Sequence, residues 1–314
     1  MKDVIIWAES SAEIEDFIEL LTSESEFKIK EVFVAKRGVG NNYLKGVYYP
    51  YDLDRKGCLE KEIKAPNFII KIVQWCSPDI IVSDNKGVLV SIETTYHILT
   101  YNNIAQRIPR QIKSAEEGIP NIIFQKIQNT NKDNIKAWFT KTFIKSWEIF
   151  NVPSIALVFT EQQFPEARKR LTKLVNSFVN KQYDNREIRE SKELMLEYSS
   201  VYSKDSVLFT KKGMNRNWIR EYKDRIIVIP GVNPDGTGWK TKGTGLMDPY
   251  PGLVKMSEIL LCYNDQNKKD KKLITFFINL PRNFWWFVKY PDEIYYKIIK
   301  EFSDDVFYKG ELEC

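Results

Sequence analysis

The chain has 314 residues, 43% hydrophobic and 28% charged, with four cysteines and a formal net charge of +5. That balance excludes a disordered or low-complexity chain, and the length buries a sizeable core in one large domain or two ordinary ones. No apolar run approaches the roughly 20 residues that cross a bilayer, acids come too early for a secretory signal, and Cys58, Cys76, Cys262 and Cys314 form no CxxC. A cytoplasmic protein with no membrane partner, zinc site or disulfide framework is expected.

"DVIIWAE" predicts a strand, and "SSAEIEDFIELLTSE" a Ser-capped helix with Ile14, Phe17, Ile18 and Leu21 at helical spacing. "FKIKEVFVAKR" alternates as a strand does, and "GVGNNYLKGVYYPYDLDRKG" reads as loop. "APNFIIKIVQWC" predicts an apolar helix with Pro66 in its first turn. "YNNIAQRIPRQIKSAEEG" is helical by Ile104, Ile108, Ile112 and Ala115, with a kink or restart at Pro109 and a stop at Gly118. "IPNIIFQKI" follows as a buried strand, "IKAWFTKTFIKSWEIF" as a helix and "VPSIALVFT" as a strand. The alternation argues for an α/β fold in which a mixed β-sheet is flanked by helices.

Beyond Phe164 the character changes, so a soft boundary near 165 separates residues 1–164 from a basic, aromatic-rich C-terminal region, 165–314. Pro165 to Arg225 holds fifteen Lys/Arg against nine Asp/Glu, a local +6. A phosphate backbone attracts such a stretch, and so does plain water at a solvated helix face. "TKKGMNRNWIREYKDR" interleaves Lys211, Lys212, Arg216 and Arg220 with Trp218, a pattern suited to phosphate contacts and base stacking. The Gly-rich "GVNPDGTGWKTKGTG" lacks the lysine of a Walker loop and the spacing of GxGxxG, and remains a loop carrying Lys240 and Lys242 toward a nucleic acid or toward solvent.

The most informative stretch is "SPDIIVSDNKGVLVSIETTYH", residues 77 to 97. Two β-rich runs flank a turn, and a three-residue loop with Gly87 at positive φ places Asp79 opposite Glu93. Period-two alternation puts Asp79, Ile81, Ser83, Leu89, Ser91, Glu93, Thr95 and His97 on one face, which concentrates the polar groups, and leaves Ile80, Val82, Val88, Val90, Ile92 and Tyr96 for the other. Carboxylates directly opposed at about 5 Å destabilise a sheet. They are compensated by a divalent cation such as Mg²⁺, or by sharing a proton with one raised pKa.

A helix, Pro78-Asp79, a hairpin, Glu93 two residues before a site position, a second helix and the strand "GIPNIIF" resemble the PD-(D/E)XK superfamily of restriction-endonuclease-like nucleases, over roughly residues 60 to 165. The resemblance implies a restriction-endonuclease-like core and a restriction-type endonuclease that hydrolyses phosphodiesters in double-stranded DNA. Asp79 and Glu93 would be its ligands for Mg²⁺, with Mn²⁺ as a substitute. The chain departs from the pattern at Thr95, where the family usually has lysine. Three readings stand: another cation takes the role, Thr95 and a neighbour such as His97 hold the water, or the domain binds nucleic acid without cutting it. The replacement cations in view are Arg107 and Arg110 on the following helix, then Lys113 and Lys126. The upstream acids Glu60 and Glu62 are candidates to add to the site, RNA is an alternative substrate, and a two-fold cut of a duplex favours a homodimer.

Overall fold

The computed structural model describes residues 1–38, 43–73, 77–95, 110–126, 134–200, 219–228, 272–278, 300 and 303–308. The chain divides into two compact units, one of Met1–Leu99, Pro109–Asn129 and Ser146–Leu194, the other of Thr100–Ile108, Thr130–Lys145 and Met195–Cys314.

The first unit is built on a nine-stranded mixed sheet. Strand β1 (Lys2–Ala8) leads through helix α1 (Ser11–Leu20) to β2 (Phe27–Arg37), which pairs parallel to β1. The chain continues through β3 (Tyr43–Asp52) and the two-residue strands β4 (Gly57–Cys58) and β5 (Ile63–Lys64) to α2 (Asn67–Val73). Strand β6 (Ile80–Ser83) inserts antiparallel between β1 and β7 (Val88–Thr95). A helix at residues 110–116, α3, leads to β8 (Asn121–Lys126), and α4 (Asn134–Phe150) to β9 (Ser154–Phe159). Strands β7, β8 and β9 are parallel neighbours, and α5 (Phe164–Val179) and α6 (Arg186–Ser200) follow. The order is β4-β3-β2-β1-β6-β7-β8-β9, with β5 beside β3. This is the expected α/β class, a mixed sheet flanked by helices.

Alternation decides which helix covers which face. Val4, Ile6, Ile80 and Val82 are buried, as are Ile14, Phe17 and Leu20 of α1 and Leu171, Leu174 and Phe178 of α5; α1 packs on β1, β6 and α5, and α5 packs on β7 and β9. On the opposite side Trp7, Tyr48 and Ile81 form a cluster with Ile69, Ile72 and Val73 of α2 and with Ile119. Arg168 of α5 donates to the carbonyls of Glu19, Leu20 and Leu21, closing the C-terminus of α1 with a cation where the helix dipole favours one. One member of the basic run is therefore structural. Gly118 ends α3 at φ +75°, with Gly118 N–H donating to the Ala115 carbonyl and Ile119 N–H to that of Ser114, a Schellman stop at the expected position.

Several local expectations are corrected. Residues 43–52, read as loop, form β3, because its tyrosines pack on the sheet: Tyr48 and Tyr51 are buried. Ser10 stands at the N-cap of α1 without a side-chain capping bond. Pro66 precedes α2 rather than sitting in its first turn, and its carbonyl accepts from Ile69 and Ile70 N–H. The hairpin pairs Ile80 with Ile92, Ile81 with Ser91 and Val82 with Val90, and then slips at Ser83, which pairs with Val88. Gly87 is not among the described glycines at positive φ; the Asp84 carboxylate closes the turn instead, accepting from Lys86 and Gly87 N–H at 2.8 and 3.0 Å.

Burial would raise the Asp84 carboxyl, but those two bonds and the charges of Lys181 and Lys2 outweigh it and hold the carboxyl below its ordinary value. A depressed folded-state pKa contributes stability above the unfolded pKa of about 4 that is lost as pH falls below it. Asp84→Asn is expected to cost about 1 kcal/mol at pH 7 and to flatten the fall in stability on the acid side, as read by denaturant melts from pH 7 to pH 3.

The described part of the second unit centres on a four-stranded sheet, β10 (Ile219–Glu221), β11 (Arg225–Val228), β12 (Leu273–Ile278) and β13 (Asp305–Tyr308), in that order. The first pair is antiparallel and the others parallel. Arg225 ties three strands together by donating to Thr275 Oγ1 and Asp305 Oδ2 at 3.1 and 3.3 Å.

Candidate functional site

Strands β1, β2, β7, β8 and β9 all point one way, with β6 reversed between β1 and β7. From β1 the chain crosses to β2 on one side; from β7 it crosses to β8 and β9 on the other. The connections diverge at the carboxyl ends of β1 and β7, the topological switch where open α/β sheets leave a crevice for ligands.

Acidic residues collect at that point. Glu9 directly follows β1, and its N–H donates to the Asp79 carbonyl at 3.0 Å. Asp79 directly precedes β6, and Glu93 lies near the end of β7. The Asp79 side chain is fixed by Thr94, whose backbone N–H and hydroxyl both donate to Oδ2, at 2.9 and 3.3 Å. Glu13 joins from the first turn of α1, and carboxylate oxygens of Glu9, Glu13 and Asp79 lie within 4.8 Å of one another. Asp79 and Glu93 are almost wholly buried, at 1% and 0% exposure.

Arg110, at the start of the described part of α3, reaches into this group. Its Nη1 lies 3.4 Å from Asp79 Oδ1, 3.4 Å from Glu93 Oε1 and 3.5 Å from Glu9 Oε2. One nitrogen thus bridges carboxylates from three strand ends. Tyr48 borders the group: burial, reinforced by the negative charge of Glu9, pushes its hydroxyl above the ordinary range. It stays a neutral phenol at physiological pH.

Of the residues singled out from sequence, Asp79, Glu93 and Arg110 come together. Thr95 ends β7 opposite Gln125 of β8, and its side chain lies outside the described residues, as do His97, Arg107, Lys211, Lys212, Arg216, Trp218, Lys240 and Lys242. Arg220 is in β10, paired with Ile227. Two alternative cations are engaged elsewhere: Lys113 with Glu116 and Glu117 at 2.6 and 2.8 Å, and Lys126 with Glu161. The upstream acids are Glu9 and Glu13, not Glu60 and Glu62. Glu62 instead pairs with Lys36 and accepts from the Tyr49 hydroxyl at an exposed position, because the strands around it lie on the far side of β2 from β6.

The donor set consists of carboxylate oxygens, hard ligands suited to Mg²⁺ or Mn²⁺ and unsuited to soft metals. Glu9, Glu13 and Asp79 have the closeness such an ion needs, Asp79 buried and the two glutamates partly exposed, while Glu93 is joined to Asp79 and Glu9 through Arg110. The chain matches no family model, no curated protein and no solved structure.

Proposed function

We propose that the chain is a metal-dependent endonuclease of restriction type that hydrolyses phosphodiester bonds in double-stranded DNA. The observation that carries the reading is the gathering of Asp79, Glu93 and Glu9 around one guanidinium nitrogen at the switch point of the sheet. The order of elements around Asp79 and Glu93 is the one that resembles the PD-(D/E)XK core. In this reading Asp79 and Glu93 hold Mg²⁺ or Mn²⁺, and Glu9 and Glu13 add charge to the same site.

A bound divalent ion there supplies polarisation of the scissile phosphate and a water of lowered pKa. The protein's own groups do the rest. Thr94 locks the Asp79 rotamer through two hydrogen bonds. Arg110, from the helix after β7, is the cation best placed for the role that lysine holds in the family, neutralising charge on a phosphate oxygen. Arg107, three residues earlier in the sequence, is a second candidate for that role, and Thr95 and His97 help to place the attacking water. The basic stretch with Lys211, Lys212, Arg216, Trp218, Arg220, Lys240 and Lys242 grips the duplex, and a homodimer makes the paired cut.

A second reading, a nuclease fold that binds nucleic acid without cutting, draws on Thr95 in place of lysine. Incubating the purified chain with supercoiled plasmid, phage DNA and a structured RNA, each with Mg²⁺, Mn²⁺ or chelator, separates the two. Metal-dependent DNA fragments that disappear in Asp79→Ala while DNA binding persists are the expected result. Fragments from RNA alone redirect the substrate assignment, and intact nucleic acid with retained binding favours the non-cutting reading.

A further inference from the structure

We infer that Tyr48 is a substrate-binding residue: its hydroxyl, buried beside Glu9 at the strand ends, donates a hydrogen bond to an oxygen of the bound phosphodiester. The inference rests on the proposed nuclease reading and gives the site a donor that the motif around Asp79 and Glu93 does not contain.

Three tyrosines of β3 differ in what their hydroxyls do. That of Tyr49 donates to Glu62 at 3.1 Å and that of Tyr51 to Glu15 at 2.6 Å. Tyr48 is the most deeply buried of the three, at 3% exposure against 7% for Tyr51, yet among the described residues nothing hydrogen-bonds its hydroxyl. A buried phenol ordinarily finds a partner, and leaving one without is costly. Such a group calls for a ligand that completes it. Its ring is held in place, edge-on to Trp7 with centroids 5.1 Å and planes 83° apart, and Trp7 is itself pinned by donating from Nε1 to Ser83 Oγ at 2.9 Å. Glu9 follows Trp7 by two residues, which by strand alternation places both on one face. Burial and the charge of Glu9 make the Tyr48 proton harder to remove, so the phenol enters the site as a donor. In the sheet order β3 and β7 lie on opposite sides of β1. Tyr48 therefore approaches Glu9 from one direction, and Arg110, whose Nη1 is 3.5 Å from Glu9 Oε2, from the other. A crevice lined by carboxylates repels an anion, so a phosphate seated there needs neutral donors as well as cations. Its oxygens are strong acceptors, suited to a fixed phenol hydroxyl.

The test compares full-length wild type with Tyr48→Phe, which keeps the ring and its contact with Trp7 and removes only the hydroxyl. Two quantities are measured: the melting temperature in chelator, and the initial rate of plasmid cleavage against DNA concentration in saturating Mg²⁺. The melting temperature is expected to stay the same or rise, because the hydroxyl has no partner among the described residues. With it, kcat/KM is expected to fall about tenfold to a hundredfold, the scale of one hydrogen bond to a charged group. An unchanged kcat/KM overturns the inference and leaves the nuclease reading standing. A lower melting temperature shows that the hydroxyl serves the fold, and overturns the inference as well. If wild type cuts no nucleic acid, the nuclease reading fails on its own, and ¹⁹F NMR of protein labelled with 3-fluorotyrosine decides, the Tyr48 resonance being assigned by its loss in Tyr48→Phe. That resonance is expected to shift on addition of a short DNA or RNA duplex with Mg²⁺; a resonance unmoved by both overturns the inference.

Discussion

Glu93→Gln is expected to abolish metal-dependent cleavage and, at the same time, to raise the melting temperature of the metal-free protein. The cleavage loss is expected at about 10²–10³-fold or more, the scale set by removing one preorganised electrostatic contact from a reaction centre. The gain in stability follows from burial. Glu93 has no exposed surface, and its carboxylate shares a single guanidinium nitrogen with Asp79 and Glu9. Gln keeps the shape and removes one of the crowded charges, while Arg110 retains two carboxylates. Removing one of three like charges that crowd a single cation relieves their mutual repulsion, a gain expected at about 1 kcal/mol, or roughly 2–4 °C in a unit of this size. Calorimetry in chelator checks the sign. A lower melting temperature for Glu93→Gln would mean that the carboxylates serve the fold, as an ordinary ion-pair network does.

Arg110→Ala is expected to act in the opposite direction on the same assay. Without the guanidinium, Glu9, Asp79 and Glu93 face one another with that charge removed, and breaking a buried ion pair from one side costs about 3–5 kcal/mol. The partial exposure of Arg110 argues for the lower end, about 3 kcal/mol, or roughly 6–12 °C. Millimolar Mg²⁺ or Mn²⁺ is expected to restore much of that loss, because an ion that binds only the folded protein stabilises it by mass action. Destabilisation that divalent ions leave unchanged would assign Arg110 a purely structural role. Opposite signs for Glu93→Gln and Arg110→Ala are the signature of acids assembled for a ligand.

Much of this arrangement was legible in the chain because local rules carried it. The two β-rich runs about a turn made the β6–β7 pairing legible, and it holds from Ile80–Ile92 to Val82–Val90, although Asp84 rather than Gly87 closes the turn and the register slips at Ser83; Gly118 marked the end of α3 because a Schellman stop needs positive φ there. Other features depend on tertiary partners. Residues 43–52 look like loop in isolation, with Gly46 and Pro50 among them, yet pair with β2 because Tyr48 and Tyr51 find burial there. Glu9 and Glu13 carry no motif. Their membership comes from β1 lying next to β6 across more than 70 residues of sequence, a pairing that local pattern does not encode. The one signal that could have found Glu9 is position: it directly follows the first strand of an α/β sheet, and such strand ends are where sites form. Arg110 was one of several basic residues in view, and only the packing of α3 distinguishes it from Lys113, which is held by its own helix.

Whether these acids are gathered to hold an ion is read from a crystal grown or soaked in Mn²⁺ and examined by anomalous scattering. The expected result is a peak bonded by carboxylate oxygens of Asp79 and Glu93, beside Glu9. A map with no peak at these residues in saturating Mn²⁺ would assign the acids to an ion-pair network with Arg110.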